Sequence, residues 1–122
     1  PSASASTWPV NRAGSGTVIR RCAERLNGLD IIVINAGVAF TTPAGKGHFE
    51  QIRQTIDVNL TGVFLCAQAE AQQMIKQSPA GGKIINMASM SATIANCNAS
   101  YDASKAGIVH MTKTLACMGV RT

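Results

Sequence analysis

The chain has 122 residues, of which 46% are hydrophobic and 14% are charged. That balance excludes a disordered chain and leaves room for one folded domain. The formal net charge is +5, but the eleven Lys and Arg residues are scattered and few aromatic residues lie among them. We therefore expect these charges to lie on solvated helix faces, and we predict no nucleic-acid partner.

The lengths of the apolar runs and the spacing of the cysteines indicate the cellular compartment of the protein. No apolar run reaches the roughly 18 residues of a membrane span, and the first residues lack the features of a secretory signal. The four cysteines form no Cys-x-x-Cys pair and lie far apart, at Cys22, Cys66, Cys97 and Cys117. We expect free thiols, no metal site, no membrane partner and a cytoplasmic location.

The first part of the chain predicts one helix and one strand. Residues 1–16 are mostly small or polar, which favours an irregular or disordered segment. Apolar residues then recur at helical spacing over residues 17–26, and Asn27-Gly28 supplies a helix stop. Residues 29–36 contain Ile-Ile-Val-Ile, and such a β-branched run predicts a strand buried on both faces.

The second part predicts a long helix, a strand and a last helix. Apolar residues at helical spacing cover residues 48–77, and a Pro-Ala-Gly-Gly segment then breaks the chain. Residues 83–89 predict a second buried strand. The last helix covers residues 99–118, and we expect Ile108, Met111 and Leu115 to face inward.

This order of elements determines the predicted fold class. Strands that alternate with helices pair in parallel through right-handed crossovers. We predict an α/β fold, specifically a fragment of a doubly wound parallel-sheet domain with about two strands and three helices. Residues 17–122 would form the central part of that domain, after the irregular segment 1–16.

Tyr101 and Lys105 carry the first indication of chemistry. They are four residues apart, so on a helix they are neighbours one turn apart. A cation beside a phenol favours the phenolate, which lets a tyrosine exchange a proton near neutral pH. An isolated pair of this kind also occurs on solvated helix faces, so the pattern gains meaning only from the residues upstream.

The residues that follow the two strands are those expected at a ligand site. Residues 35–37 (Asn-Ala-Gly) end the first strand and Ser89 ends the second. Parallel sheets bind ligands at the carboxyl ends of their strands, so Ser89 and Tyr101 could converge on one carbonyl oxygen. The alternative is that Ser89, Asn35 and Asn59 only satisfy nearby backbone groups.

Four ordered motifs together resemble the short-chain dehydrogenase/reductase family. They are Asp-Ile-Ile-Val-Ile-Asn-Ala-Gly (30–37), Asp-Val-Asn-Leu-Thr-Gly-Val-Phe (57–64), Lys-Ile-Ile-Asn-Met-Ala-Ser (83–89) and Tyr-Asp-Ala-Ser-Lys-Ala-Gly (101–107). The resemblance covers about residues 17–122 and implies a Rossmann-type domain. The sequence around Ser89 and Lys105 most resembles the polyol and ketose branch of the family.

The resemblance implies a role for each matching residue. Ser89 would polarise the substrate oxygen and Tyr101 would be the acid/base. Lys105 would bind the nicotinamide ribose and tune Tyr101, and Asn59 would support a water in the proton relay. Asn35, Ala36 and Gly37 would steady the sheet beside the cofactor.

The resemblance also implies ligands and partners. The expected cofactor is NAD or NADP, and the substrate is a small-molecule alcohol or ketone. We expect a homo-oligomer formed through the helices at residues 48–77 and 99–118.

The chain departs from the family pattern in several places. Family members are about twice as long and open with a strand and a glycine-rich turn for the cofactor pyrophosphate. The glycine-rich residues 13–17 stand before the wrong strand for that purpose. Ile34 stands where the family usually has an asparagine before Asn-Ala-Gly. The spacing from Ser89 to Tyr101 is about one residue shorter than in the family. The alternative function is therefore a truncated, catalytically silent fragment that binds no cofactor on its own.

Overall fold

The computed structural model describes residues 12–41, 46 and 49–119. Helices and strands alternate, as predicted, and the two strands form a parallel sheet. In chain order the elements are α1 (Arg12–Leu26), β1 (Ile31–Ile34), α2 (Phe49–Ile56), a π-helical turn (Asp57–Gly62), α3 (Val63–Lys76), β2 (Lys83–Asn86), a 3-10 turn (Met90–Ala92) and α4 (Ala99–Gly119). No helix in the described part of the chain is long and apolar enough to cross a membrane.

Helix α1 begins at Arg12, so the predicted start at residue 17 is five residues late. The two glycines of this segment are weak helix formers, which is why the sequence favours a loop there. Packing outweighs that preference, because Ser15 is buried and its Oγ lies 3.8 Å from the Cys66 Sγ on α3. The irregular segment predicted for residues 1–16 is therefore helical from Arg12 onward, and residues 1–11 lie outside the described residues.

The strands pair in parallel, with Ile31 opposite Lys83 and Ile34 opposite Asn86. Both are shorter than the predicted ranges 29–36 and 83–89. The Gln77 side chain takes up the backbone of Leu29 just before β1, accepting from its N–H at 3.0 Å and donating to its oxygen at 2.9 Å. This contact anchors the start of β1 to the end of α3.

The sheet is covered on one face. Ile32, Ile34 and Ile84 pack against apolar residues of α1, α3 and α4. On the opposite face Ile31 is 64% exposed and Val33 is 52% exposed. The prediction of burial on both faces is therefore wrong for this chain, because the described helices pack against the face that carries Ile32, Ile34 and Ile84.

The long helix predicted over residues 48–77 is a continuous helical segment with a change of winding. Helix α2 leads into the π-helical turn, and α3 follows it and ends at Lys76. The backbone stays helical at both junctions, Ile56 and Gly62. His48, the predicted first residue, lies outside the described residues.

Helix α4 agrees with the predicted range 99–118 to within one residue. Ile108 is buried, and Met111 and Leu115 pack against the same core cluster. The inward-facing residues predicted for this helix are confirmed. Because α4 carries both Tyr101 and Lys105, this packing holds the two side chains against the rest of the fold.

Candidate active site

Helix α4 brings Tyr101 and Lys105 together. The Lys105 ammonium lies 5.6 Å from the centroid of the Tyr101 ring. Lys105 is only 4% exposed, and its Nζ donates to the Met87 backbone oxygen at 2.9 Å. No carboxylate forms an ion pair with it in the described part of the chain. A buried ammonium has three donors, so this one retains capacity for a polar ligand atom.

Asn59 lies fully buried in the π-helical turn and bonds to two other segments. Its Oδ1 accepts from the Val38 N–H at 2.8 Å, and its Nδ2 donates to the Val38 oxygen at 2.9 Å. The same Nδ2 is 3.1 Å from the Ser104 Oγ on α4. These bonds are the backbone-satisfying role that the sequence left open, and they join the loop after β1 to α4.

The segment Asn35, Ala36 and Gly37 follows β1 and is exposed. Gly37 approaches the buried cluster closely, because a Cβ atom placed there would lie 3.3 Å from Asn59 Oδ1 and 3.7 Å from Lys105 Nζ. The structure therefore brings Gly37, Asn59 and Lys105 to one place. This segment forms an open rim beside the lysine.

Ser89 is half-buried at the start of the 3-10 turn. Its Oγ accepts from the Ser91 N–H at 3.2 Å, so the hydroxyl caps this turn. Among the described residues no hydrogen bond joins Ser89 to Tyr101, and the Tyr101 hydroxyl has no protein partner. The 3-10 turn packs against α4, so the two side chains belong to neighbouring elements without touching through a hydrogen bond.

Sequence reasoning missed two residues that organise this region. Ser104 donates to the Tyr101 backbone oxygen at 2.7 Å while accepting from Asn59. Asn98 precedes α4, and its Oδ1 accepts from the Tyr101 N–H at 3.2 Å. An asparagine just before a helix is a common N-cap, so that signal was present in the sequence.

Comparison with known proteins identifies the family. The family model described as short chain dehydrogenase matches residues 10–121. The chain belongs to the short-chain dehydrogenase family.

Individual relatives agree with this membership. A 3-oxoacyl-[acyl-carrier-protein] reductase from Synechocystis is 38% identical over 81% of this chain and 40% of its own length. An NAD-dependent glycerol dehydrogenase from Listeria innocua is 44% identical over 72% of this chain and 34% of its own length. A crystal structure of a short-chain dehydrogenase/reductase from Mycobacterium marinum superposes with a TM-score of 0.83 at 36% identity, over 89% of this chain and 44% of that one. The chain thus spans less than half the length of these relatives. The superposition confirms the fold class, a fragment of a doubly wound parallel-sheet domain, for the part that the chain shares with them.

Proposed function

We propose that the protein is an NAD(P)-dependent oxidoreductase that interconverts a secondary alcohol and a ketone, with Tyr101 as the acid/base. The observation that carries this proposal is the buried Lys105 ammonium 5.6 Å from the Tyr101 ring, with no carboxylate paired to it in the described part of the chain. A cation in that position stabilises negative charge that develops on the tyrosine oxygen during proton transfer. Named family relatives that catalyse dehydrogenase and reductase reactions support the reaction class.

The residues around Lys105 fit the ribose of a nicotinamide cofactor. The lysine has donors beyond its bond to Met87, and ribose hydroxyls are suitable acceptors. Gly37 leaves the rim open where a Cβ would lie 3.7 Å from the ammonium. Asn35, Ala36 and Gly37 would form the cofactor-side wall, and Lys105 with Tyr101 would form the other. The cofactor, NAD or NADP, would accept or supply the hydride at the substrate carbon.

The side chains of the protein would handle the oxygen of the substrate. Ser89 Oγ would donate a hydrogen bond to that oxygen, because its lone pair accepts from the Ser91 N–H while its own O–H proton stays free to donate. In alcohol oxidation, the Tyr101 oxygen would take the hydroxyl proton as the hydride leaves the carbon. In ketone reduction it would return that proton. Asn59 would hold the loop after β1 in place and support a water that relays the proton.

The proposed substrate is a small-molecule alcohol or ketone. A glycerol dehydrogenase among the relatives supports a polyol, in keeping with the residues around Ser89 and Lys105, and the 3-oxoacyl-[acyl-carrier-protein] reductases among them support a ketone. We also propose a homo-oligomer through the helices at residues 48–77 and 99–118, where Phe49, Phe64 and Met118 are exposed. The free cysteines in the described part of the chain suit a reducing, cytoplasmic location.

Changing Tyr101 to phenylalanine tests the proposed acid/base. The Tyr101→Phe variant keeps the ring and removes only the hydroxyl, so we expect turnover to fall about 10²–10⁴-fold while cofactor affinity stays nearly unchanged. Turnover is followed by nicotinamide absorbance, and affinity by isothermal titration. If the variant retains more than about a tenth of the wild-type rate, Tyr101 is not the acid/base.

A further inference from the structure

Asn98 bonds to two separate parts of the fold. Its Oδ1 accepts from the Tyr101 N–H and from the Ser100 Oγ, each at 3.2 Å. Its Nδ2 donates to the Phe40 backbone oxygen at 3.1 Å, across 58 positions of sequence. One amide therefore holds the start of α4 and the loop that follows β1.

The two halves of this amide perform different tasks. The oxygen satisfies a free N–H in the first turn of α4, which is the ordinary role of an N-cap. A cap needs no donor, and serine or aspartate would serve as well. The Nδ2 donor does more than cap the helix. Its bond to Phe40 fixes the distance between the first turn of α4, which carries Tyr101, and the loop that follows Gly37.

Neighbouring bonds reinforce the same connection. Asn59 binds Val38 on the loop after β1 and Ser104 on α4. The segment around Asn98 is closed onto the helix, since Asp102 Oδ2 accepts from the Asn96 N–H at 2.8 Å. The Asp102 N–H in turn donates to the Asn98 backbone oxygen at 2.8 Å. Asn98 is thus held in place before it reaches Phe40.

We propose that Asn98 is a positioning residue that sets the separation between Tyr101 and the cofactor-side segment at residues 35–37. This inference rests on the proposed function, in which proton transfer occurs at Tyr101 and the cofactor lies against Gly37. Reacting atoms must approach within about 3–3.5 Å, and a displacement of about 1 Å can cost on the order of 10² in rate. A bond between the two segments prevents that displacement.

Two substitutions separate the cap from the cross-segment bond. Asn98→Asp and Asn98→Ser keep an oxygen acceptor for the Tyr101 N–H and remove the donor to Phe40. Asn98→Ala removes both. The matched control is Asn96→Ala, because the Asn96 side chain is exposed and makes no hydrogen bond among the described residues, while its backbone N–H remains.

We measure kcat, KM, amide hydrogen exchange at Tyr101 and the ring NMR signal of labelled tyrosine. The chain contains a single tyrosine, so that signal reports on Tyr101 alone. The aspartate and serine variants should keep slow exchange at the Tyr101 amide, lose about tenfold or more in kcat with a smaller change in KM, and shift the ring signal. The alanine variant should show these losses together with faster exchange, and Asn96→Ala should match the wild type in all four readouts.

Wild-type kcat and an unmoved ring signal in Asn98→Asp and Asn98→Ser would reduce Asn98 to a helix cap and overturn the proposal. Failure of the proposed function gives a different result, namely an inactive wild type or an active Tyr101→Phe variant. In that case the ring signal and the amide exchange still decide whether Asn98 holds the two segments in place.

Discussion

At the scale of single residues, Lys105 is the buried cationic side chain that the proposed chemistry uses. It is 4% exposed, and its protein partner is a neutral carbonyl. An ammonium in such a place loses hydration, and no carboxylate in the described ranges pairs with it to offset that loss. Cofactor hydroxyls and the Tyr101 oxygen are therefore the groups expected to complete its hydrogen bonds.

Replacing Lys105 with methionine should weaken both cofactor binding and catalysis. The Lys105→Met variant keeps a similar shape but loses the ribose donors and the charge beside the phenol. Cofactor affinity is measured by titration. The dependence of the rate on pH should differ between the variant and the wild type, because the charge that assists proton transfer at Tyr101 is gone. Lys113→Met is the control, since Lys113 lies on the exposed side of the same helix. A pH–rate profile identical to that of the wild type would contradict the role.

Glu70 is a second buried ionisable residue, and it lies away from the proposed site. It lies on α3, one turn from Cys66 and one turn from Met74. Cys66 contacts Ser15 of α1, and Met74 packs with Ala23 of the same helix. Glu70 is 1% exposed, and its Oε2 has no hydrogen-bond partner among the residues that the structure describes. Burial raises the pKa of Glu70 from 4.5 to about 7. Burial also raises the pKa of the Cys66 thiol, so that neighbour stays neutral in the same range.

This carboxyl predicts a fall in stability as the pH rises. Between pH 4.5 and about 7 the folded state keeps a proton on Glu70 that the unfolded state has lost. The contribution of Glu70 to the free energy of unfolding should therefore be greatest below pH 4.5, fall by an amount on the order of 3 kcal/mol through that interval and level off above about pH 7. Glu70→Gln should remove most of this dependence and be more stable than the wild type at alkaline pH.

Urea unfolding at acid and alkaline pH measures the difference for each variant. Glu50→Gln is the control, because Glu50 is exposed and pairs with Arg53 at the surface. Its effect should be small at either pH. An equal response to pH in wild type and Glu70→Gln would show that Glu70 is ionised without cost in the folded protein.

At the scale of elements, the π-helical turn at Asp57–Gly62 has a clear consequence for the site. Such turns often occur at functional sites. Here the turn carries Asn59, whose amide takes both backbone groups of Val38 and reaches Ser104. The turn between α2 and α3 therefore holds the loop after β1 against α4.

Removing the Asn59 amide should destabilise this junction. Asn59→Ala leaves the Val38 N–H and oxygen without their partner, and each buried unsatisfied group costs about 1–3 kcal/mol. We expect the free energy of unfolding to fall by about 2 kcal/mol or more. Hydrogen exchange at the Val38 amide should become faster. Gln72→Ala, an exposed change on α3, is the control and should leave both measurements near wild type. Slow exchange at Val38 in Asn59→Ala would contradict the prediction.

At the scale of the whole molecule, the sheet has one open apolar face. Ile31, Val33, Ile85 and Met87 are all exposed. Strands with open edges and an apolar face tend to associate. The 122-residue chain on its own should therefore self-associate, as measured by size-exclusion chromatography with light scattering.

A double substitution on this face tests the cause. Val33→Thr with Ile85→Thr keeps β-branched residues in the strands and lowers the apolar area, so the associated fraction should fall. Ile94→Thr is the control, because Ile94 is more exposed than Val33 and Ile85 but lies beyond the 3-10 turn. If the associated fraction stays the same in the double variant, association occurs through another surface, such as the exposed helices.

The sequence by itself determined the order of elements and the parallel pairing of the strands. Local patterns carry this information, because the Ile-Ile-Val-Ile run and the apolar spacing of α4 depend only on nearby residues. The motifs around Asn59, Tyr101 and Lys105 also predicted the family, which the comparisons confirm. The roles of these residues and of Ser89 and residues 35–37 stay predictions.

Only the tertiary structure decided how these pieces meet. The early start of α1, the exposed face of β1 and the burial of Glu70 each depend on which segments pack together. The bonds of Asn59 to Val38 and of Asn98 to Phe40 join residues 21 and 58 positions apart. Their physical cause is the close approach of separate segments, and helical or strand periodicity along the chain contains no record of it.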